Sequence, residues 1–174
     1  YKEKAGKCKT AHSSPPDYGT MNVVPSSMGY PAQKKMKTTY FWKATHEPEP
    51  GARYVSISRQ NLRGAEGMEK YPALMPDWKL INMAHEMGYS KECFEAYRKE
   101  YFGQLKNLNA EKVYQELQDC VLVCFESPKD IISGKKFCHR RMVAGWIETE
   151  LGIAVPEEIR EKDAGIVVPV VYGS

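Results

Sequence analysis

No stretch of the 174 residues approaches the ~20 consecutive apolar residues needed to span a bilayer, and the N-terminus lacks an apolar signal core. No membrane association is therefore expected, and a cytoplasmic location is. Excess charge is also scarce. Lys and Arg number 25 against 22 Asp and Glu, a formal net charge of +3, so bulk charge alone does not demand a nucleic-acid partner, although a local basic patch stays open. The Gly-x4-Gly-Lys-Ser/Thr phosphate loop and the Gly-x-Gly-x-x-Gly fingerprint are both absent, which sets those nucleotide-binding classes aside. A phosphatase Cys-x5-Arg loop fails too, because the sixth residue after Cys124 is Asp130 and the sixth after Cys138 is Ala144. There is no Cys-x-x-Cys pair. Nothing repeats at a fixed period, so a solenoid is not indicated.

What is present supports one α/β domain. The chain is long enough for a real core, and 42% apolar residues with three Trp and eleven Tyr argue against wholesale disorder. The five cysteines form no regular disulfide framework; their odd number and their clustering near apolar runs match a reducing compartment. Residues 1–35 hold four prolines and much Ser, Gly, Lys and Thr without apolar periodicity. They read as a tail, an extension or an artificially appended segment, with the domain occupying 36–174.

The stretch from Cys120 to Trp146 organises the rest. Val121, Leu122, Val123 and Phe125, extended by Cys120 and Cys124, make an apolar run too short for a helix and predict a buried strand ending at Glu126. An irregular basic loop follows, and then Met142, Val143, Trp146, Ile147 and Leu151 fall at helical spacing. Strand, loop, helix places Cys138, His139 and Arg140 at a helix start, where unpaired N–H groups favour an anion.

Other elements follow from local pattern. Thr38–Trp42 and Tyr54–Ser58 read as strands, and Arg59 beyond the second is a candidate anion contact at the carboxyl end of a strand. Asp77, Ser90 and Asn109 are expected helix caps, with Gly88 as a stop. Phe94, Tyr97, Tyr101 and Leu105 form a stripe at helical spacing, which points to core packing rather than to a stacking platform for bases. Pro156-Glu157-Glu158 is expected to open a helical turn, and Ile166–Tyr172 to form a last, irregular or edge strand containing Pro169.

Three chemistries compete at the central motif. Cys138 beside Lys135, Lys136, Arg140 and Arg141 has its thiolate favoured, as a nucleophilic or redox cysteine requires, with His139 as acid or base and Glu126 to orient it. Alternatively Arg140, Arg59, Lys135 and Lys136 hold a phosphate-bearing ligand, nucleotide or nucleic acid, without covalent chemistry. A metal held by Cys124, Cys138 and His139 is the weakest of the three, and neither metal nor cofactor is expected. The packing alternative makes Cys138 a buried cap-position residue, bonds His139 to a backbone carbonyl and leaves the arginines on the surface.

Val121-Leu122-Val123-Cys124-Phe125-Glu126 followed by Phe137-Cys138-His139-Arg140-x2-Val143-Ala144-x-Trp146, together with Thr39-Tyr40-Phe41, Tyr54–Ser58, Leu74-Met75-Pro76 and Phe94-x2-Tyr97, resembles the family called domain of unknown function 488. The resemblance runs from about Met36 to Val155 and implies a small α/β domain, a mostly parallel sheet flanked by helices, with Cys138, His139, Arg140 and Glu126 as its suspected site. It implies no reaction. The Glu126–Phe137 stretch is longer than the compact loop of that family, and residues 1–35 have no counterpart there. The leading expectation is an enzyme or binding protein for a phosphate-bearing ligand; its rivals are a non-catalytic protein-interaction module and a redox-sensing thiol protein.

Overall fold

The computed structural model describes residues 35–173, so nearly all of the expected N-terminal tail lies outside the described residues. The elements run β1 (Lys37–Tyr40), α1 (Phe41–His46), β2 (Arg53–Ser56), β3 (Glu69–Lys70), α2 (Trp78–Met87), α3 (Lys91–Leu105), α4 (Ala110–Leu117), β4 (Cys120–Cys124), α5 (Pro128–Ile132) and α6 (His139–Leu151). Every strand pairing is parallel, and the order is β1-β4-β2-β3. The expected α/β class and parallel sheet are present, with β4 as an inner strand and all five of its residues buried.

Strand alternation divides the core. Cys120, Leu122 and Cys124 face the larger cluster, with Leu80, Tyr101, Leu117, Met142 and Ile147 from the helices. Val123 faces the opposite side, where Phe41 and Ala44 of α1 form a smaller cluster with Ala65. Tyr97, Tyr101 and Leu105 are buried and Phe94 packs against them, so the aromatic stripe is core.

The caps follow local chemistry. Ser90 and Asn109 accept from the backbone N–H of Cys93 and Lys112 at 3.1 and 2.9 Å, and α2 ends at Gly88 with φ 64°. Asp77 occupies the N-cap position of α2 without a side-chain bond to it.

Four expectations change. The first strand ends at Tyr40, and the aromatic Phe41-Trp42 begins α1 instead of extending it. The basic loop contains α5, because Ser127 caps it by accepting from Asp130 N at 3.2 Å and Pro128 suits its first turn. Pro156-Glu157-Glu158 is extended rather than helical: Thr38 N donates to Pro156 O at 2.9 Å and Glu158 N to Thr38 O at 2.8 Å, a bridge alongside β1. Residues 166–172 are not a strand. Val171 N donates to the Arg141 carbonyl at 3.1 Å, so this segment bonds to α6 and joins no sheet. Gly145 permits that approach, since a Cβ there would lie 2.0 Å from Val171 O.

Candidate active site

In a parallel sheet the carboxyl ends of all strands share one edge, and the helices that follow begin there. Here β4 ends at Cys124, β2 delivers Ile57 and Ser58, and α6 starts at His139 with Cys138 as its N-cap residue. These three segments bring Cys124, Glu126, Cys138 and His139 together.

His139 is buried, and its ring is fixed from two sides. Its Nε2 lies 2.8 Å from the Ile57 carbonyl oxygen, which can only accept, so Nε2 carries the proton and donates. Tyr101 packs edge-on against the ring with centroids 5.4 Å apart, its own hydroxyl donating to Leu74 O at 2.7 Å. The Cys124 sulfur lies against the ring, 3.5 Å from Nδ1 and 3.8 Å from Nε2. Cys124 Sγ also lies 3.5 Å from Glu126 Oε2, and the ligand atoms of Cys124, Cys138 and His139 all fall within 4.8 Å of one another.

The two sulfurs differ electrically. Burial, and then its hydrogen bond to Cys138, push the Cys124 thiol well up. Burial acts the same way on Cys138, but the Cys124 hydrogen bond, the Arg140 charge and His139 outweigh it and hold Cys138 well below the usual thiol range. Burial first and the Cys138 charge second push the Glu126 carboxyl up to about 8.

Arg140 departs from its expected role. Its side chain is fully buried, donating through Nε and Nη2 to Glu157 Oε1 at 2.9 and 2.7 Å and through Nη1 to Cys138 Sγ at 3.1 Å. It does not line the cavity. It is a buried ion-paired support for the Cys138 sulfur, so its anion partner is Glu157. Arg141 is also buried, donating to Thr38 Oγ1 at 2.8 Å and Val155 O at 3.1 Å.

A cavity of about 410 Å³ opens over this cluster, with Cys124, Glu126 and His139 among its lining residues. Arg59, Lys136 and His85 supply its cationic and titratable wall, and Trp78, Tyr89 and Phe125 its aromatic wall. Arg59 is pre-positioned: its Nε donates to Pro76 O at 2.8 Å, Asp77 lies 3.6 Å from Nη2, and the guanidinium sits 5.8 Å from the centroid of the Trp78 ring. Lys136 lies 5.7 Å from the Tyr89 ring centroid. Lys135 is exposed and is not among the lining residues.

Sequence reasoning missed Glu157, whose side chain is buried because it faces Arg140, and the wall residues Trp78, His85 and Tyr89. Cys124 was legible: the inward alternation of Cys120, Leu122 and Cys124 puts it on the face that α6 covers. Glu157 carried no local signal.

No family model matches the chain, and no match to it was found among curated proteins or among solved structures. None of the helices in the described residues is long and apolar enough to cross a membrane.

Proposed function

We propose that the protein binds a phosphate-bearing ligand of nucleotide size in this cavity and acts on it with the Cys-His-Glu group at the floor. The observation that carries the reading is the convergence, in one cavity of about 410 Å³, of the Arg59 and Lys136 cations with Cys124, Glu126 and His139. Arg59 and Lys136 pair with the phosphate, because a fixed guanidinium and an exposed ammonium together neutralise its charge. Trp78 and Tyr89 offer faces to a planar or apolar portion. Arg140 leaves the anion-binding set proposed on sequence, and Lys135 is assigned no contact. The resemblance to the domain of unknown function 488 family belongs to the same reading, since the segment that bears it supplies the floor.

The test is calorimetric titration of the full chain with a panel of nucleoside phosphates, pyrophosphate and the matching unphosphorylated nucleosides. Binding that requires the phosphate, and that weakens about 10-fold or more in Arg59→Ala and in Lys136→Ala, supports the reading. Equal binding of nucleosides and nucleotides, or no binding by any of the panel, overturns it.

A redox-sensing thiol protein is the second reading, favoured by the Cys124 and Cys138 sulfurs lying within 4.8 Å of each other. A peroxide-treated chain whose tryptic map shows a Cys124–Cys138 disulfide supports it; an unchanged dithiol rejects it.

A further inference from the structure

We propose that the ligand has two nucleoside units joined through phosphate, the first held in the cavity described above and the second in an adjoining cavity over the ends of β1 and β4. The inference rests on the phosphate-ligand reading and narrows it to a substrate class.

The topology opens a crevice at that place. β1 and β4 are parallel neighbours, and Tyr40 at the end of one pairs with Cys124 at the end of the other. The chain leaves them on opposite faces of the sheet. After β1, α1 packs Phe41 and Ala44 on the Val123 side; after β4, α6 packs Met142 and Ile147 on the Leu122 side. Strand ends whose following segments diverge in this way are where open parallel sheets hold ligands. A cavity of about 350 Å³ lies there, walled by Tyr40 and Trp42 on one side and by residues 125–130 on the other.

The two cavities share a wall, because Phe125, Glu126 and Lys136 line both. A phosphate held by Lys136 therefore stands between them, which is the position of a linkage between two units. Burial, the leading influence, pushes the Glu126 carboxyl up to about 8, so at neutral pH the shared wall carries the lysine charge with little opposing carboxylate.

The second cavity repeats the device of the first. Arg59 sits over the Trp78 ring at 5.8 Å with Asp77 at 3.6 Å; Arg160 sits over the Trp42 ring at 4.8 Å, its Nε donating to Asp163 Oδ2 at 2.7 Å. His46 stacks on Trp42 with centroids 4.7 Å apart, so that ring serves as a fixed support for the guanidinium. With Glu126 neutral, three cations (Lys129, Lys136 and Arg160) line this cavity against two carboxylates (Asp130 and Asp163), and the excess suits a phosphate-linked unit.

Tyr40 supplies a polar contact that the described protein leaves unused. It lines the second cavity, and its hydroxyl is buried without a hydrogen-bond partner among the described residues. Buried hydroxyls are normally paired, and an oxygen or nitrogen of the second unit pairs this one. Phe41, Leu62 and Phe125 give the rest of the wall an apolar surface for a base or sugar face.

The test is calorimetry of the full chain with two ligands of one base: a phosphorylated dinucleotide, joined by a phosphodiester, and a dinucleoside polyphosphate, joined by anhydride bonds. Each is compared with the mononucleotide that carries the same number of phosphates, so that the second nucleoside is the difference. At least one two-unit ligand is expected to bind about 10-fold or more tightly than its counterpart. A gain for the dinucleotide assigns a nucleic-acid strand as the source, and a gain for the anhydride a dinucleoside polyphosphate. The double variant Tyr40→Phe/Lys129→Ala removes the gain and leaves mononucleotide affinity unchanged, whereas Arg59→Ala weakens both. The double variant spares the fold, since it deletes an unpaired hydroxyl and an exposed ammonium. If mononucleotides bind and neither two-unit ligand binds more tightly, or if the gain survives the double variant, this inference is overturned and the phosphate-ligand reading stands. If nothing in the series binds, both fall.

Discussion

The two ends of β4 carry the same side chain on the same face of the sheet, and they differ in everything that surrounds it. At the amino end Cys120 is buried beside Asp119, its sulfur 3.5 Å from Oδ1, with the Arg53–Glu69 ion pair nearby. Burial is the leading influence there and pushes the thiol up to about 11. It lines no cavity among those described. At the carboxyl end Cys124 meets His139, Glu126 and Cys138 beneath a cavity. The difference comes from chain direction. Parallel strands send each following segment out of the same edge, so only that edge receives the N-terminus of α6 and the end of β2. A cysteine becomes part of a site here through the elements that arrive at it, and burial alone leaves it inert.

The sharpest way to break the comparison is to exchange the roles of the two ends. Cys124→Ser is expected to weaken ligand binding, while Cys120→Ser leaves it unchanged, as read by calorimetry with the nucleoside phosphate panel. Cys120 in the folded chain is also expected to resist alkylation at pH 8.5 and to react readily in denaturant, where its pKa returns to about 8.5. Rapid labelling of folded Cys120 would show the two ends to be alike.

The support beneath the carboxyl end is the next place to press. Glu157→Ala strands the Arg140 guanidinium, which is fully buried, and is expected to lower stability by about 3–5 kcal/mol in urea unfolding. A loss below 1 kcal/mol on the surface-pair scale would mean that water reaches Arg140. Gly145→Ala forces a Cβ against Val171 O and is expected to destabilise by about 1–3 kcal/mol. Hydrogen exchange should localise the change to α6 and residues 166–172. The smallest effect belongs to Ser127→Ala, which removes the cap of α5 and is expected to lower stability by about 1 kcal/mol or less. Because α5 precedes Lys136, the same variant tests whether this capped turn positions the ammonium: ligand affinity falls if it does.

Much of this fold was legible. The apolar run Cys120–Cys124 was too short for a helix and too apolar for an exposed strand, which made it the buried inner strand it is. Ser90, Asn109 and Gly88 marked helix ends because capping acts within three or four residues. The helix start at Cys138-His139 was legible for a similar reason, since Met142, Val143 and Trp146 follow at helical spacing. The failures share a cause. Phe41 and Trp42 favour strand locally yet begin a helix that covers the back of the sheet, where Phe41 packs with Ala44 and Val123. Residues 166–172 look like a strand, but their backbone bonds to α6. In each case a long-range partner overrode a local preference.

The site divides along the same line. Cys138, His139 and Arg140 were identifiable as residues at a helix start because adjacency in sequence and helix periodicity are local properties. Their roles were not. That Arg140 turns inward to Glu157, that Ile57 selects the tautomer of His139, and that Arg59 and Lys136 share one cavity wall while Lys135 stays outside depend on segments up to 82 positions apart. The sequence alone determined which elements form and where the central strand hands over to its helix, because periodicity, capping and turn chemistry are written within a few residues. Only the tertiary structure decided which of those residues face one another, because hydrogen bonds, charge pairing and donor spacing are properties of distances in space.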